Sequence, residues 1–393
     1  MTVSYNLDMH SVSTLSFLKL LFRYKGSIWK SVKNELIVWI VGYYVVYCVY
    51  RYALTEVQQN RFSAVARYCD SRLGYIPLMF MLGFFVSNVM DRWKSIFYNL
   101  GWVENSAHSV ATFIRSNDRE TRLVRRSIIR YLVLAQVLVL RCISIPVKRR
   151  YPNVESLVEA GYITQAELAM LEKVLTVNFY GQYYVPINWA LCLCSEMYER
   201  KIIDAAPNFA TLVNDIKAFR ANLQQLLNYD FVPIPLAYPQ VVFLATRVHF
   251  IICLFSRQHF LDDQNEKVDI FIPIMSILQF IFMFGWMKVG EALLNPLGDD
   301  DDDFDVNSII DQNMAIGLTI VDEAYGSRPP LVEDTFKFTN NIRQSFDYHK
   351  RATNRRVSLN GHKETLFKLH ETRSFLRGAK SEDSLKEDDP EIL

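Results

Sequence analysis

The sequence lacks the features that mark secreted, disulfide-bonded or nucleic-acid-binding proteins. Its 393 residues contain no Asn-x-Ser/Thr sequon, so nothing indicates a glycosylated face. The formal net charge is only +1, which gives no bulk attraction to nucleic acid. No Cys-x-x-Cys pair occurs, and we interpret the six cysteines as reduced core residues, namely Cys48, Cys69, Cys142, Cys192, Cys194 and Cys253.

The N-terminal segment also lacks the pattern of a cleavable signal peptide, because charged residues are interspersed with its apolar ones. We therefore expect the first membrane helix to act as the targeting signal.

Long uncharged runs are abundant, and Leu73–Met90 is the most informative of them. As a helix it would be ~27 Å long, close to the hydrocarbon thickness of a bilayer. Ile76, Phe80 and Phe84 fall at i, i+4 and i+8, which predicts one stripe of large apolar side chains. Pro77 indicates a broken membrane helix of the kind that lines a cavity, and lipid-facing or core aromatics are the alternative.

Three further apolar segments predict three more membrane helices, the third of them broken by Pro233, Pro235 and Pro239. Four spans place both termini on one side, and the basic flanks at the N-terminus and after Asp91 predict that this side is cytoplasmic. A polar connector is expected at 51–72. The predicted spans are about 34–55, 73–95, 231–256 and 269–291.

The remaining segments predict a large cytosolic helical region. Residues 131–140 are apolar but too short to cross a bilayer, which indicates a buried helix. Thr164 and Glu167 form a capping-box pattern. Residues 183–197 predict a packed helix, and 205–227 an amphipathic helix interrupted by Pro207. Together these patterns predict an all-α polytopic membrane protein with a core at 1–340, whose cytosolic parts are about 96–230 and 292–340, and a disordered tail at 341–393.

Six Asp residues occur within the seven positions 299–305, directly after the fourth span. Such charges repel strongly unless they are solvated or share a cation. Asn295, Pro296 and Gly298 predict a sharp turn with exposed carbonyls beside the acids. Calcium takes six to eight oxygen ligands of both kinds. The alternative is an acidic capping loop ahead of a helix at about 306–315.

Two other metal-binding classes fit this run poorly. An EF-hand loop starting at Asp299 would need Gly and Glu where Phe304 and Ile310 stand. A magnesium-dependent enzyme acting on diphosphates would need a second acidic cluster on a facing helix, and Asp262-Asp263 lies on the opposite membrane face in the predicted topology. No nucleophile or phosphate-binding glycine loop supports the enzyme either.

Several motifs, in this order along the chain, resemble the bestrophin family. They are RYKGSIWK at 23–30, IPLMFMLGF at 76–84 with Arg92-Trp93, GWMKV at 285–289, NPLG at 295–298 ahead of the Asp run, and Val321-Asp322-Glu323. The resemblance covers about residues 1–340. It implies a calcium-activated anion channel that passes chloride and other small anions, built as a homopentamer with one central pore in the cell membrane.

The resemblance also implies roles for individual residues. The hydrophobic pore neck is expected at Ile76, Phe80 and Phe84, and a lower constriction near Ala206, where alanine is smaller than the aliphatic residue of better-known members. The expected Ca²⁺ ligands are the side chains of Asp300 and Asp303 and backbone carbonyls of Ala292, Asn295 and, from a neighbouring subunit, His10.

Two functional alternatives remain at this point: a constitutive anion channel, or a channel regulator that calcium does not gate. In the tail, Arg355 and Arg356 precede Ser358 in a pattern that suits kinases with a preference for basic flanks. We expect Ser358 to be a phosphorylation site whose modification weakens docking of an inhibitory tail, and an unmodified linker is the alternative.

Overall fold

The computed structural model describes residues 14–175, 183–260 and 272–333. Within these ranges every regular element is a helix and no strand occurs, which confirms the predicted all-α class. The acidic pair Asp262-Asp263 lies outside the described residues.

The chain divides into two units, Met1–Gly326 and Ser327–Leu393. All the helices described below belong to the first unit, and residues 327–333 of the second contain no helix. The predicted site residues His10 and Ser358 lie outside the described residues.

The α-helices are numbered in chain order. Short π-helical turns at Val49–Ala53 and Thr319–Glu323 continue two of them, the second and the last. Their bounds are α1 Thr14–Leu21, α2 Ile28–Cys48, α3 Glu56–Arg72, α4 Leu78–Tyr98, α5 Glu104–Phe113, α6 Arg119–Ile143, α7 Ile145–Arg150, α8 Glu155–Glu159, α9 Gln165–Leu175, α10 Tyr184–Glu199, α11 Ala206–Phe231, α12 Ala237–Ser256, α13 Ile274–Leu293 and α14 Val306–Leu318.

Three helices in the described ranges are long and apolar enough to cross a membrane: Ile28–Ala53, Ala237–Ser256 and Ile274–Leu293. They correspond to the predicted first, third and fourth spans. A fourth span would require the pair Glu56–Tyr75 and Leu78–Tyr98, whose two helices meet at a bend of 41°.

The predicted single helix over Leu73–Met90 is wrong at its start. A 3-10 turn covers Leu73–Tyr75, Ile76 is extended with φ −91° and ψ 103°, and α4 begins only after Pro77. The ring of a proline disfavours helical geometry at the residue before it, so Pro77 keeps Ile76 out of the helix. The expected polar connector at 51–72 is also largely helical, since it contains α3.

The prolines that were predicted to break or interrupt helices lie between helices or in their first turns. Pro233 and Pro235 fall between α11 and α12, and Pro239 is the third residue of α12, so this helix is continuous rather than broken. Pro207 is the second residue of α11 and does not interrupt it. Proline is tolerated in a first turn because the N–H that it lacks would have no helical acceptor there.

Aromatic side chains fill the centre of the bundle formed by the apolar helices. Trp39 of α2 packs edge-on to Phe250 of α12 at 6.4 Å between ring centroids and donates its indole N–H to the Phe250 carbonyl at 2.9 Å. Phe280 and Phe284 of α13 stack at 4.1 Å. These contacts bury the apolar faces that the sequence pattern predicted for the spans.

Small residues on α13 allow two close helix contacts. A Cβ at Gly285 would lie 2.0 Å from Ile28 of α2, and a Cβ at Gly290 would lie 2.6 Å from Phe85 of α4. Distances below 3 Å mean that any side chain there would displace its neighbour. Glycine therefore lets α13 pack tightly against both α2 and α4.

An ion pair crosses the same bundle. Lys288 of α13 contacts Glu35 of α2 at 2.8 Å and Glu291 of its own helix at 2.9 Å. Arg247 of α12 lies 3.9 Å from Glu35. Charges within apolar helices are costly alone, and pairing lowers that cost.

Helix α6 forms the core of the region predicted to be cytosolic. Its residues 132–140 are buried, which confirms the predicted buried helix. Gln136 donates to the carbonyl of Leu100 at 2.6 Å and accepts from Asn313 at 3.0 Å, so these two buried amides satisfy each other and the backbone. The predicted packed helix at 183–197 is confirmed as α10.

The predicted capping role of Glu167 is confirmed, and its carboxylate also binds two side chains of α6. Its carboxylate accepts from the Thr164 N–H at 2.8 Å, from both terminal nitrogens of Arg130 at 2.7 Å, and from the Tyr131 hydroxyl at 2.5 Å. Although burial acts in the opposite direction, the bonds from Arg130 and Tyr131 lower the pKa of Glu167 to about 2.

The cysteines are free, as expected, but only part of the set belongs to the core. Cys194 and Cys253 are buried, Cys69 is half-buried, and Cys48, Cys142 and Cys192 are exposed. The prediction was wrong for the last three because an apolar helix exposes one face to its surroundings.

Candidate pore helix and acidic turn

The two faces of α4 differ sharply. Leu82 and Phe85 are fully buried in the bundle, whereas Phe80 and Phe84 are 66% and 57% exposed. The rings of Phe80 and Phe84 lie 4.6 Å apart between centroids. An exposed aromatic pair on an apolar membrane helix can face lipid, another subunit or a pore.

Ile76 does not share that helix face, because it precedes α4 and is half-buried against the bundle. The i, i+4 relation therefore holds for Phe80 and Phe84 alone. Ala206 belongs to another element: it is the exposed first residue of α11, immediately before Pro207.

The segment Asn295–Asp305, which we term the acidic turn, begins where α13 ends. It is closed by hydrogen bonds from the Phe304 N–H to the Pro296 carbonyl at 2.9 Å and from the Asp303 N–H to the Asp300 carbonyl at 3.2 Å. Asp300 donates its own N–H to Asp303 Oδ2 at 2.7 Å. The predicted sharp turn is thus confirmed.

Three of the six carboxylates of the acidic turn are used in contacts with groups around it. Asp299 pairs with Arg149 at 2.6 Å, Asp301 pairs with Lys30 of α2, and Asp305 caps α14 by accepting from the Ser308 N–H at 3.2 Å. The hydrogen bond from Lys30 lowers the pKa of Asp301.

Asp303 is the buried carboxylate of the turn, with 2% of the residue exposed. A Cβ at Gly298 would lie 2.7 Å from Asp303 Oδ2 and 3.7 Å from the Asn295 carbonyl oxygen, so both oxygens border space that only glycine leaves free. Burial raises the pKa of Asp303, and the charges of Asp300 and Asp302 act in the same direction. Burial also raises the pKa of Asp302.

The donor set suits a hard cation. Ala292 lies four residues before Pro296, which has no N–H, so its carbonyl lacks the donor that a continuing helix would supply. Carboxylate and carbonyl oxygens are the ligands that calcium prefers. In the described ranges no group of three or more His, Cys, Asp or Glu side chains is arranged to hold a metal ion. The predicted set instead uses two carboxylates and several carbonyls.

Phe304, which sequence reasoning did not single out, connects the acidic turn to α4. Its ring is 4.9 Å from the Trp93 ring and 5.3 Å from the Phe97 ring, between centroids, and the residue is 7% exposed. The buried Trp93 Nε1 has no hydrogen-bond partner in this part of the chain. Packing therefore holds the indole. The sequence did contain one signal for this role, since Phe304 is a single aromatic residue inside an otherwise acidic run.

Comparison with known proteins places this architecture in a family. The family model described as "Bestrophin, RFP-TM, chloride channel" matches residues 1–323.

Relatives from Caenorhabditis elegans agree. Bestrophin homolog 17 is 49% identical over 342 residues, which are 86% of this chain and 71% of that protein. Bestrophin homolog 22 is 45% identical over 82% of this chain and 64% of its own length. Bestrophin homolog 1 is 35% identical, and the alignment covers 100% of this chain and 90% of that protein. The chain thus spans less than two thirds of the length of some relatives.

Solved structures agree at the level of the fold. A crystal structure of a bacterial bestrophin homolog from Klebsiella pneumoniae has a TM-score of 0.53 and 14% identity, covering 77% of this chain and 100% of that one. The exposed aromatic pair, the acidic turn, the family model and the relatives lead to one conclusion: the chain belongs to the bestrophin family of chloride channels.

Proposed function

We propose that the protein is a calcium-activated chloride channel that works as a homopentamer in the cell membrane, with both termini cytoplasmic. The observation that carries the proposal is the exposed pair Phe80 and Phe84 on a helix that also packs against the acidic turn.

The aromatic pair suits a hydrophobic neck. A ring of phenylalanines from several α4 helices would exclude water when narrow, and an apolar constriction stops ions without being a physical plug. When such a ring widens, the positive edges of its aromatic side chains can face a partly dehydrated anion. Ile76 would contribute at the mouth, where the chain enters α4. Each chain has one α4, so a closed ring requires several copies.

Ala206 is the proposed lower constriction. Because it is a small, exposed side chain at the start of α11, a ring of such residues would leave a wide aperture. The neck at α4 would then form the main barrier.

The proposed calcium ligands are the side chains of Asp300 and Asp303, the carbonyls of Ala292 and Asn295, and the carbonyl of His10 of the partner subunit. When bound, calcium would supply positive charge that offsets the cost of burying the Asp303 carboxylate and the repulsion between the two carboxylates.

The acidic turn contacts α4 directly, and α13, the helix that precedes the turn, makes a second contact with α4. Phe304 packs on Trp93 and Phe97 of α4, and Gly290 of α13 lies directly against Phe85, the residue after Phe84. A change in the turn would therefore alter the packing of α4 at its far end directly, and near the aromatic pair through α13. Such packed contacts switch between discrete arrangements rather than deform continuously.

Reconstitution of the purified protein in liposomes tests this function. We expect chloride flux that appears with micromolar calcium and is absent without it, and native mass spectrometry should give five subunits. Equal flux in both conditions would support a constitutive channel instead, and no flux in either would support a regulator of other channels.

A further inference from the structure

An apolar groove of about 250 Å³ runs along α2 where it meets α13. Val32, Leu36 and Ile40 of α2 and Ile281 of α13 form its walls, and Trp29 and Lys33 stand at one end. Of the three candidate spans, the one formed by α2 and its π-helical continuation is the most exposed: only 22% of the residues in its most apolar stretch are buried. The groove therefore opens toward the surroundings of the bundle.

The groove is elongated and could hold a linear apolar molecule. From Lys33 to Ile40 it follows seven residues of helix, roughly 10 Å at 1.5 Å per residue. Its charged end and its apolar end lie along the axis of a membrane-spanning helix, so an occupant aligned with the groove would also be aligned with the lipids.

The charged end carries an unmatched positive group. Lys30 pairs with Asp301, whereas Lys33, one turn further along α2, has no ion pair or hydrogen bond to a described residue. Trp29 donates its indole N–H to the Leu21 carbonyl at 2.8 Å, which holds the ring at the groove end. Tryptophan and lysine together are typical of the membrane interface, where lysine attracts anionic headgroups.

We propose that this groove binds one acyl chain of an anionic phospholipid, with the lipid phosphate at Lys33. The apolar walls would hold the acyl chain, and the Lys33 ammonium, which has no ion pair within the described residues, would donate hydrogen bonds to the phosphate. A zwitterionic lipid would fill the same walls but would gain less at Lys33, because its headgroup carries no net charge.

Quenching of Trp29 fluorescence by lipids with brominated acyl chains tests the proposal. The full-length protein would be reconstituted in bilayers that contain either brominated phosphatidylglycerol or brominated phosphatidylcholine. The difference between the parent and Trp29→Phe isolates the Trp29 signal. We expect half-maximal quenching at a mole fraction of phosphatidylglycerol about fivefold lower than of phosphatidylcholine, which corresponds to about one lysine charge at the surface.

Lys33→Gln should abolish this preference while quenching itself persists. Lys94→Gln, at the end of the apolar part of α4, is the matched control and should leave the preference unchanged. Equal quenching by both lipids in the parent, or a preference that survives Lys33→Gln, would overturn the anionic site. No quenching by either lipid would show that protein covers the groove and would overturn the proposal altogether.

Discussion

Replacement of Phe304 by leucine should weaken the response to calcium without removing a calcium ligand. The ring is almost fully buried and contacts Trp93 and Phe97 at 4.9 and 5.3 Å. An aromatic pair contributes about 0.5–1.5 kcal/mol beyond its buried area, so the two pairs amount to about 1–3 kcal/mol. If the contacts belong to the calcium-bound conformation alone, Phe304→Leu would raise the calcium concentration for half-maximal current about 5- to 150-fold.

Current recordings from reconstituted channels over a calcium series would measure this shift. A double-mutant cycle with Trp93→Leu adds a sharper criterion, because residues in contact should give a coupling energy of at least about 0.5 kcal/mol. Phe113→Leu, a half-buried aromatic of α5, serves as the control for general loss of packing. Unchanged calcium dependence in Phe304→Leu, or strict additivity with Trp93→Leu, would refute the coupling route.

Three further outcomes are expected. Phe80→Ala and Phe84→Ala should each produce current without calcium, because a smaller apolar ring is a weaker barrier; silent channels in zero calcium would count against the neck. Asp303→Asn should lower calcium affinity at least about tenfold in direct binding, whereas Asp305→Asn, which preserves a helix cap, should change it little. The Glu167 carboxylate, with its pKa at about 2 against an ordinary 4.5, stabilises the fold above about pH 4.5 and loses this effect as the pH falls toward 2. Glu167→Gln should therefore cost about 2–3 kcal/mol near neutral pH and flatten the decline of the melting temperature in acid, and an unchanged decline would contradict this assignment.

Much of the membrane region could be predicted from the sequence, because an uncharged run long enough to cross a bilayer is rare outside membrane helices. The start of α4 was misplaced because proline is common both in the first turn of a helix and at a break, and the sequence alone does not distinguish the two. Helix α3 was missed because its charges resemble a connector, although Thr55 and Gln58 form a capping box there.

The roles of individual residues in the acidic turn could not be predicted from the local sequence. The six carboxylates within seven positions are chemically alike in the sequence, and their different roles depend on partners far along the chain, such as Lys30 and Arg149. Gly298 likewise resembled an ordinary turn residue. Its importance follows from the carboxylate of Asp303 that folds over it, a contact that only the tertiary structure reveals.

The ion pair between Glu35 and Lys288 has a consequence for biosynthesis. Among the candidate spans of the described residues, Glu35 belongs to the first that leaves the ribosome, Arg247 to a later one and Lys288 to the last. The carboxylate therefore enters the membrane before either cation exists. On insertion scales a charge at the centre of a membrane helix costs about 2.5–3.5 kcal/mol, and a charge nearer the helix end, such as Glu35, costs less. The carboxylate of the nascent chain therefore lacks its cations until α12 and then α13 have been made, and Lys288 of α13 supplies the shorter contact. Pulse-chase labelling should show rapid degradation of Lys288→Met and recovery in the double variant with Glu35→Gln.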